Sequence, residues 1–395
     1  MGSIRNILVI GIVFLVFSNF LSYLLFLDKL PQGKTIVYLL LNVIVISLSN
    51  KIRITKYAYI WASIYIVIST VYFIFSISYI ETSVYYKHSV VAALMLILFT
   101  LVLQSSTNAI ALSRETILYV TIFNCVLLIY DFIQPGFFIP LDSNLYIDGR
   151  GSAMFMNPNI AGTAVLLGLI FTIDIVPKKF RELYLVIILL GVLTTMSRAA
   201  ISLYLMLLIV YFLKRTVNRK YLSIYFGIAV ASSTLVATSL IGLLQSNNIS
   251  TSNIENRISF ILSIGQKGRD ASYGERIFVL EKAYEIFINS PLFGAGFAVT
   301  RVWDYPQSPH NFYIMGLAEY GLLSLLILPL LFFLVRFKAQ GRTLQIANIF
   351  ILFMAFNSLF THNILESTFY IFCFSLMFAM SSKSQYQIYN MKEKR

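Results

Sequence analysis

His310 and Asn311 lie in SPHNFYIMGLAEYG, residues 308–321, where a polar stretch runs straight into an apolar one. An imidazole at such a boundary has a reference pKa of about 6.5, so its neutral form accepts a proton at physiological pH. Three arginines stand in comparable surroundings. Arg150 lies in DGRGSAMFMNPN, Arg198 lies in TTMSRAA between two apolar runs, and Arg276 opens a helical pattern in ASYGERIF. A guanidinium fork binds phosphate oxygens in pairs. Several such forks with one neutral imidazole fit a dianionic ligand together with a base that takes a proton from a hydroxyl. A lipid-linked diphosphate sugar would meet both needs, with the arginines on the leaving diphosphate and His310 on the acceptor hydroxyl.

Each of these residues also has a plainer account. Arg150 would be a turn residue paired with Asp148, and Arg276 would pair with Asp270 or Glu275. Arg198 would snorkel to the membrane interface, although an unpaired guanidinium between apolar spans is expensive. His310 would be a helix-start residue bonded to backbone. His88 and His362 follow no long polar loop and are read as structural. Cys125 and Cys373 fall inside apolar runs, which argues against a disulfide framework or a thiolate metal site. No His, Cys, Asp or Glu cluster stands at ligand spacing among the polar segments, so neither a metal nor a cofactor is expected.

The elements that must position these groups are membrane helices. Hydrophobic residues make up 58% of the chain and charged ones 12%, far from a soluble domain. Apolar runs recur that are long enough to cross a hydrocarbon core of about 30 Å. Helices are the only plausible form for them, because lipid offers unpaired backbone no partner. About twelve are read: about 4–27, 35–50, 57–80, 89–108, 116–134, 158–176, 183–197, 199–213, 221–243, 312–335, 344–361 and 365–380. The second and seventh are short enough to be tilted or partly re-entrant. The fold expected is an all-α, polytopic membrane protein.

Basic residues set the orientation. With the N-terminus inside, Arg5, Arg114 and the clusters at 51–56, 178–181, 214–220, 336–342 and 383–395 all face the cytoplasm. The net charge of +13 is then a signal of topology and of lipid headgroups, not of nucleic acid. The first span is long for a signal peptide and is read as retained. Two outer segments break the pattern of short loops. That at about 135–157 reads as ordered turns, rich in Gly, Pro, Asn and Asp. The other, at about 244–311, begins polar and mobile. It then carries an amphipathic helix, with a capping box at Ser272 and Glu275 and an apolar face of Ile277, Leu280, Tyr284 and Phe287. This helix is expected to lie on the membrane or cover the bundle.

The motifs, taken in order, resemble the bacterial O-antigen ligase and O-antigen polymerase superfamily. The matching pieces are RGSAMFMNPN at 150–159, TMSRA at 195–199, GER with EKAYEIFINSPLFGAGF at 274–297, and SPHNFYIMGLAEYG at 308–321. The resemblance covers about 140–335; the earlier spans carry hydropathy alone. It implies a GT-C-type glycosyltransferase, metal-independent and inverting, working on the outer face of the bacterial cytoplasmic membrane. His310 would be the base, Arg198 and Arg276 would hold diphosphate, and Arg150, Asn311 and Glu319 fall in matching positions. The donor would be an undecaprenyl-diphosphate-linked oligosaccharide and the acceptor a glycan. Membrane lipids, a chain-length regulator and a flippase would be the partners, with no nucleic acid.

Residues 1–134 then read as N-terminal spans, 135–335 as the catalytic region with its outer loop at 244–311, and 336–395 as closing spans and a cytoplasmic tail. Polymerisation of O-antigen, capsule or exopolysaccharide repeat units is the leading reading. A ligase joining glycan to lipid A–core stays open beside it. A flippase of lipid-linked oligosaccharide is the alternative of another class. Such a transporter would carry charges at mid-membrane and helix breaks in corresponding halves.

Overall fold

The computed structural model describes residues 2–29, 33–49, 55–76, 79–106, 108–147, 149–214, 216, 227, 271–305 and 307–393. Asp148, the polar stretch 244–270, and the expected span at 221–243 apart from residue 227 lie outside them. Every regular element among the described residues is helical: α1 (Gly2–Phe17), α2 (Phe20–Phe26), α3 (Lys34–Ser47), α4 (Lys56–Ile74), α5 (Tyr79–Gln104), α6 (Ala109–Ile133), α7 (Pro158–Thr172), α8 (Arg181–Thr194), α9 (Arg198–Leu213), α10 (Ala271–Asn289), α11 (Phe312–Tyr320), α12 (Leu328–Phe337), α13 (Gly341–Asn357) and α14 (Thr368–Glu393), with short 3-10 turns between some of them.

About twelve spans are expected. Among the described residues, four are long and apolar enough to cross a membrane unaided: Lys56–Ile74, Ile80–Gln104, Ala109–Ile133 and Phe312–Phe337. The α1–α2 pair, bent by 58°, makes a fifth if taken as one broken span. Lys34–Ser47, Pro158–Thr172, Arg198–Leu213 and Thr368–Ser382 are apolar but shorter. The bend falls at Asn19, whose backbone is left-handed (φ 56°).

The chain divides into two compact units, one of Met1–Ile12, Thr35–Ser113 and Arg269–Arg395, the other of Val13–Lys34 and Arg114–Gly268. In the second unit α7 is the buried centre, covered along nearly its whole length. The side chain of Asn157 caps it, accepting from Asn159 N at 2.9 Å and Ile160 N at 3.3 Å, and Pro158 occupies the first turn. Proline there loses no hydrogen bond and brings a preset φ.

In the first unit α5 packs between α4 and α14. Phe99 meets Phe372 edge-on with ring centroids 5.2 Å apart. The expected span at 312–335 is broken. α11 stops at Gly321 (φ 58°), a 3-10 stretch follows to Leu326, and α12 resumes with Pro329 in its first turn. Backbone freed inside a membrane needs internal partners. Trp61 supplies one, donating its indole N–H to Ile327 O at 2.7 Å. The LFGAGF loop supplies others, for Ala295 N donates to Ala318 O at 2.8 Å and Gly296 N to Glu319 O at 3.2 Å.

The amphipathic helix forms as α10, but two expectations about it change. It is already helical at Ala271, so Ser272 is not the residue before its first turn. Its covered stripe is Val279 and Ala283, with Leu280, Ile286 and Phe287 beside them, whereas Ile277 and Tyr284 are exposed. The cause is tertiary: α10 packs on α11, and that contact selects a face turned from the one that hydropathy favours.

Gly321 pairs a left-handed backbone with a close approach, since a Cβ there would meet Leu292 C and O at 2.5 Å. Left-handed geometry alone costs a residue with a Cβ about 1–2 kcal/mol. Gly321→Ala is therefore expected to lower the thermal midpoint of the detergent-purified protein. Gly11→Ala, with nothing within 4 Å, is expected not to. Equal midpoints for the two variants would refute the close approach.

Candidate functional site

The histidine that ends the polar loop sits in a network of the first unit. His310 precedes α11, whose N-cap is Asn311, the side chain accepting from Tyr313 N at 3.0 Å and Ile314 N at 3.1 Å. Phe312 N donates to Ser358 O at 2.8 Å and ties this helix start to the end of α13. His310 is half-buried. Its Nε2 lies 3.3 Å from Gln307 Oε1, and Gln307 Nε2 donates to Glu275 Oε2 at 2.9 Å. The Gln307 carbonyl accepts from the Trp303 indole N–H at 3.1 Å. The His362 ring stands 5.2 Å from that of His310.

Both imidazoles are held neutral. Burial, and after it the positive charge of Arg276, hold His310 below its ordinary pKa. Burial, then the charges of His310 and Arg301, push His362 down to about 4. Arg276 itself is exposed on the first turns of α10. Within the first unit the charge of Arg276 is thus felt at His310. The carboxylate of Glu275 serves Gln307.

Glu319 is fully buried. It accepts from Thr300 Oγ1 at 2.8 Å and from Arg301 Nε at 3.0 Å on one oxygen, and from Arg301 Nη2 at 3.1 Å on the other. The remaining Arg301 nitrogen, Nη1, binds Glu366. The guanidinium also lies over the Tyr85 ring, 5.2 Å from its centroid. Beside this cluster is an enclosed cavity of about 20 Å³, lined among others by Arg301, His362, Glu366, Tyr65 and Tyr320. That is room for one water. An open cleft of about 450 Å³ lies against the same loop, lined by Glu81, Val84, Tyr85, His88, Val302 and Trp303.

Arg150 and Arg198 belong to the second unit. Arg150 donates through Nε to Thr195 O at 2.9 Å and through Nη2 to Asn159 Oδ1 at 2.8 Å. It thus joins the RGSAMFMNPN and TMSRA pieces through its own side chain. Gly151 N donates to Thr194 O at 2.8 Å, and Asp131 accepts from Ser152 N and Ala153 N, each at 2.8 Å. A Cβ on Gly151 would strike Leu128 O at 2.8 Å. The RGS turn is thereby pinned against α6 and the end of α8. Asp131, in the last turn of α6, is the acceptor that holds this turn. Arg198 is the exposed first residue of α9, after Ser197 caps the helix by accepting from Ala200 N at 3.3 Å. Met196 (φ 47°) makes the sharp turn from α8 to α9.

Residues 183–329 match the family model described as O-antigen ligase. Over that stretch the chain is similar to the O-antigen ligase family. The match supports the O-antigen ligase and polymerase superfamily that the motifs resembled, and with it a membrane protein of glycosyltransferase-like activity on a lipid-linked glycan. Arg198, Arg276, Arg301, Gln307, His310, Asn311 and Glu319 all fall inside the matched stretch, whereas Arg150 precedes it. No curated protein matches the chain.

Sequence reasoning passed over Arg301, Gln307 and Glu366, and set His362 aside as structural. A signal for His362 was present: it opens a second His-Asn pair at 362–363, after the apolar run of α13. Nothing in the sequence marks Arg301, because its partners stand 18 and 65 positions away. Among the described residues, no three His, Cys, Asp or Glu side chains come together as a metal site.

Arg276 disfavours the protonated form of His310, so removing its charge must favour protonation. Arg276→Gln is expected to raise the His310 pKa toward the ordinary histidine value, as followed by an NMR titration of the imidazole. An unchanged or lower value would show that this charge does not reach His310.

Proposed function

We propose that the chain transfers glycan from undecaprenyl diphosphate to an acceptor sugar hydroxyl on the outer face of the bacterial cytoplasmic membrane, polymerising repeat units of a surface polysaccharide. One observation carries this reading. Within the stretch similar to the O-antigen ligase family, an imidazole kept neutral by burial and by Arg276 sits at the start of an apolar helix. A base must be neutral to accept a proton, and depressing its pKa extends the range in which it is.

In the proposed step, neutral His310 accepts the proton of the acceptor hydroxyl. The freed oxygen forms a bond to the anomeric carbon of the donor. The bond from that carbon to the diphosphate oxygen breaks, and its electron pair leaves on undecaprenyl diphosphate. Attack opposite the leaving group inverts the anomeric centre, as in GT-C-type enzymes. Arg276 stands where its charge is felt at the base. Arg150 and Arg198 are assigned to the diphosphate from their motifs, and Arg198 is exposed at a helix N-terminus, a place that favours anions. Asn311 and Glu319 are assigned to support, the first as a helix cap and the second as the anchor of Arg301. The cleft lined by Trp303, Tyr85 and Glu81 offers aromatic faces and a carboxylate of the kind sugar rings pack and bond against.

Deletion of the gene with analysis of the glycan tests the class of reaction. Surface glycan reduced to single repeats is the expected outcome. Long chains stranded on the carrier lipid would mean a ligase joining glycan to lipid A–core, and undiminished extracellular polymer would refute both. His310→Ala is expected to lower transfer by about 10²–10⁴-fold, the usual scale for loss of a general base, with the protein still folded and inserted. Arg198→Lys is expected to fail as Arg198→Ala does, because an ammonium cannot replace a two-pronged contact; full activity of both would return Arg198 to an interfacial role. Transfer by purified enzyme is expected to survive chelation, with arginines carrying the leaving-group charge. Strict dependence on Mg²⁺ or Mn²⁺ would overturn that assignment.

A further inference from the structure

The two ring nitrogens of His310 are not equivalent, because the network around the imidazole faces one of them. Gln307 stands between a carboxylate and an imidazole, with its Nε2 2.9 Å from Glu275 Oε2 and its Oε1 3.3 Å from His310 Nε2. A carboxylate only accepts hydrogen bonds, so Glu275 must receive the amide N–H of Gln307. The amide oxygen is thereby turned toward His310. That oxygen also only accepts, so the His310 nitrogen facing it must carry the proton. A neutral imidazole has one N–H and one lone pair. The lone pair therefore falls to Nδ1. Trp303 steadies the arrangement from the other side, donating its indole N–H to the backbone carbonyl of Gln307 at 3.1 Å.

We infer that Glu275 and Gln307 are positioning residues that hold neutral His310 as the Nε2–H tautomer and so make Nδ1 its proton-accepting atom. The inference rests on the reading of His310 as the base for its consequence in catalysis, but the tautomer is a property of the resting protein. The groups that bear on this imidazole are Arg276 from α10, His362 from the segment between α13 and α14, and Glu275 through Gln307. Arg276 and a charged neighbouring imidazole both disfavour protonation. Neither dictates which nitrogen of the neutral ring holds its hydrogen. Among the described residues the amide does.

The test is NMR of the full chain in lipid nanodiscs with ¹⁵N-labelled histidine. The chain has three histidines, so His310 is assigned by the signals lost in His310→Gln. At a pH where the ring is neutral, the expected pattern has the hydrogen on Nε2 and the lone pair on Nδ1. Glu275→Leu frees the amide to turn and is expected to give a mixture of tautomers. Gln307→Leu is expected to do the same and to lower transfer on the order of tenfold, the scale on which losing an orienting partner of a histidine is felt. The exchange of both residues, Glu275→Gln with Gln307→Glu, rebuilds the relay with the carboxylate next to the imidazole. It is expected to restore the Nε2–H tautomer and to move the acid limb of the pH profile upward, a shift that repair of packing alone would not produce.

A wild-type His310 with its hydrogen on Nδ1 would overturn the inference, as would a tautomer unmoved by both leucine variants. These failures are separate from failure of the base reading. If His310→Ala abolishes transfer while the tautomer ignores Gln307, the base stands and the relay falls. If His310→Ala leaves transfer intact, the base reading falls whatever the tautomer.

Discussion

The Arg301 guanidinium, buried against Glu319 and reaching Glu366, fixes the part of the molecule that carries both neighbouring histidines. One carboxylate comes from α11, whose first turn follows His310 directly. The other lies four positions after His362. Binding both to one planar cation sets the register of two segments that are far apart in sequence. The cost of this arrangement is high, because each charge has given up water. It is met by geometry: Glu319 receives the guanidinium on both oxygens and a hydroxyl besides, and the Tyr85 ring covers the cation. Losing one partner from such a cluster typically costs about 3–5 kcal/mol, since a buried charge is left behind uncompensated.

The break in the Phe312–Phe337 span follows from the same constraint. A continuous helix through Gly321 would carry its carbonyls up the ladder and leave nothing for the LFGAGF loop to bind. Ending α11 at Tyr320 exposes Ala318 O and Glu319 O to Ala295 N and Gly296 N. The loop after α10 is thereby fastened onto the helix that carries Glu319, a few residues before Arg301. Gly294 and Gly321 approach within a distance that admits no Cβ. Trp61 and Tyr72 satisfy carbonyls that the break leaves over. Irregular backbone at membrane depth persists only where protein supplies such partners, so the broken helix and the ion cluster require each other.

Much of the architecture was legible because hydropathy is a one-dimensional signal. Spans at about 57–80, 89–108 and 116–134 correspond to α4, α5 and α6, differing chiefly at their ends. The RGS turn, the TMSR turn and the outer helix also stand where composition placed them. Hydropathy failed where tertiary contact decides. It marked Ile277, Leu280, Tyr284 and Phe287 as the apolar face of α10 and did not mark Val279 and Ala283, which the protein itself buries. It marked 312–335 as one apolar span, which Phe312–Phe337 is, but not the 3-10 interruption within it, because Gly321 and Pro329 are weak breakers on their own in so apolar a run. The candidate base was legible from an imidazole at a polar–apolar boundary. Its surroundings were not, since Gln307 has no distinguishing neighbours in sequence and Arg301 acquires meaning only once residues 319 and 366 are folded beside it.

The two histidines show how one physical setting can give similar side chains different tasks. Both are withdrawn from water, and both are neutral near pH 7. His362 is pushed down to about 4 by burial first, and then by the charges of His310 and Arg301. Its Nδ1 is buried without a hydrogen-bond partner among the described residues. His310 is less deeply displaced, is linked to the exposed Glu275 through an amide, and feels Arg276 from the outer helix. A base must be neutral at rest yet able to hold a proton for an instant. Burial and the charge of Arg276 favour the neutral form of His310, the form that a base needs. His362 then serves best as a neutral wall: were it charged, it would oppose the proton on its neighbour, and the charge of Arg301 behind it keeps that from happening.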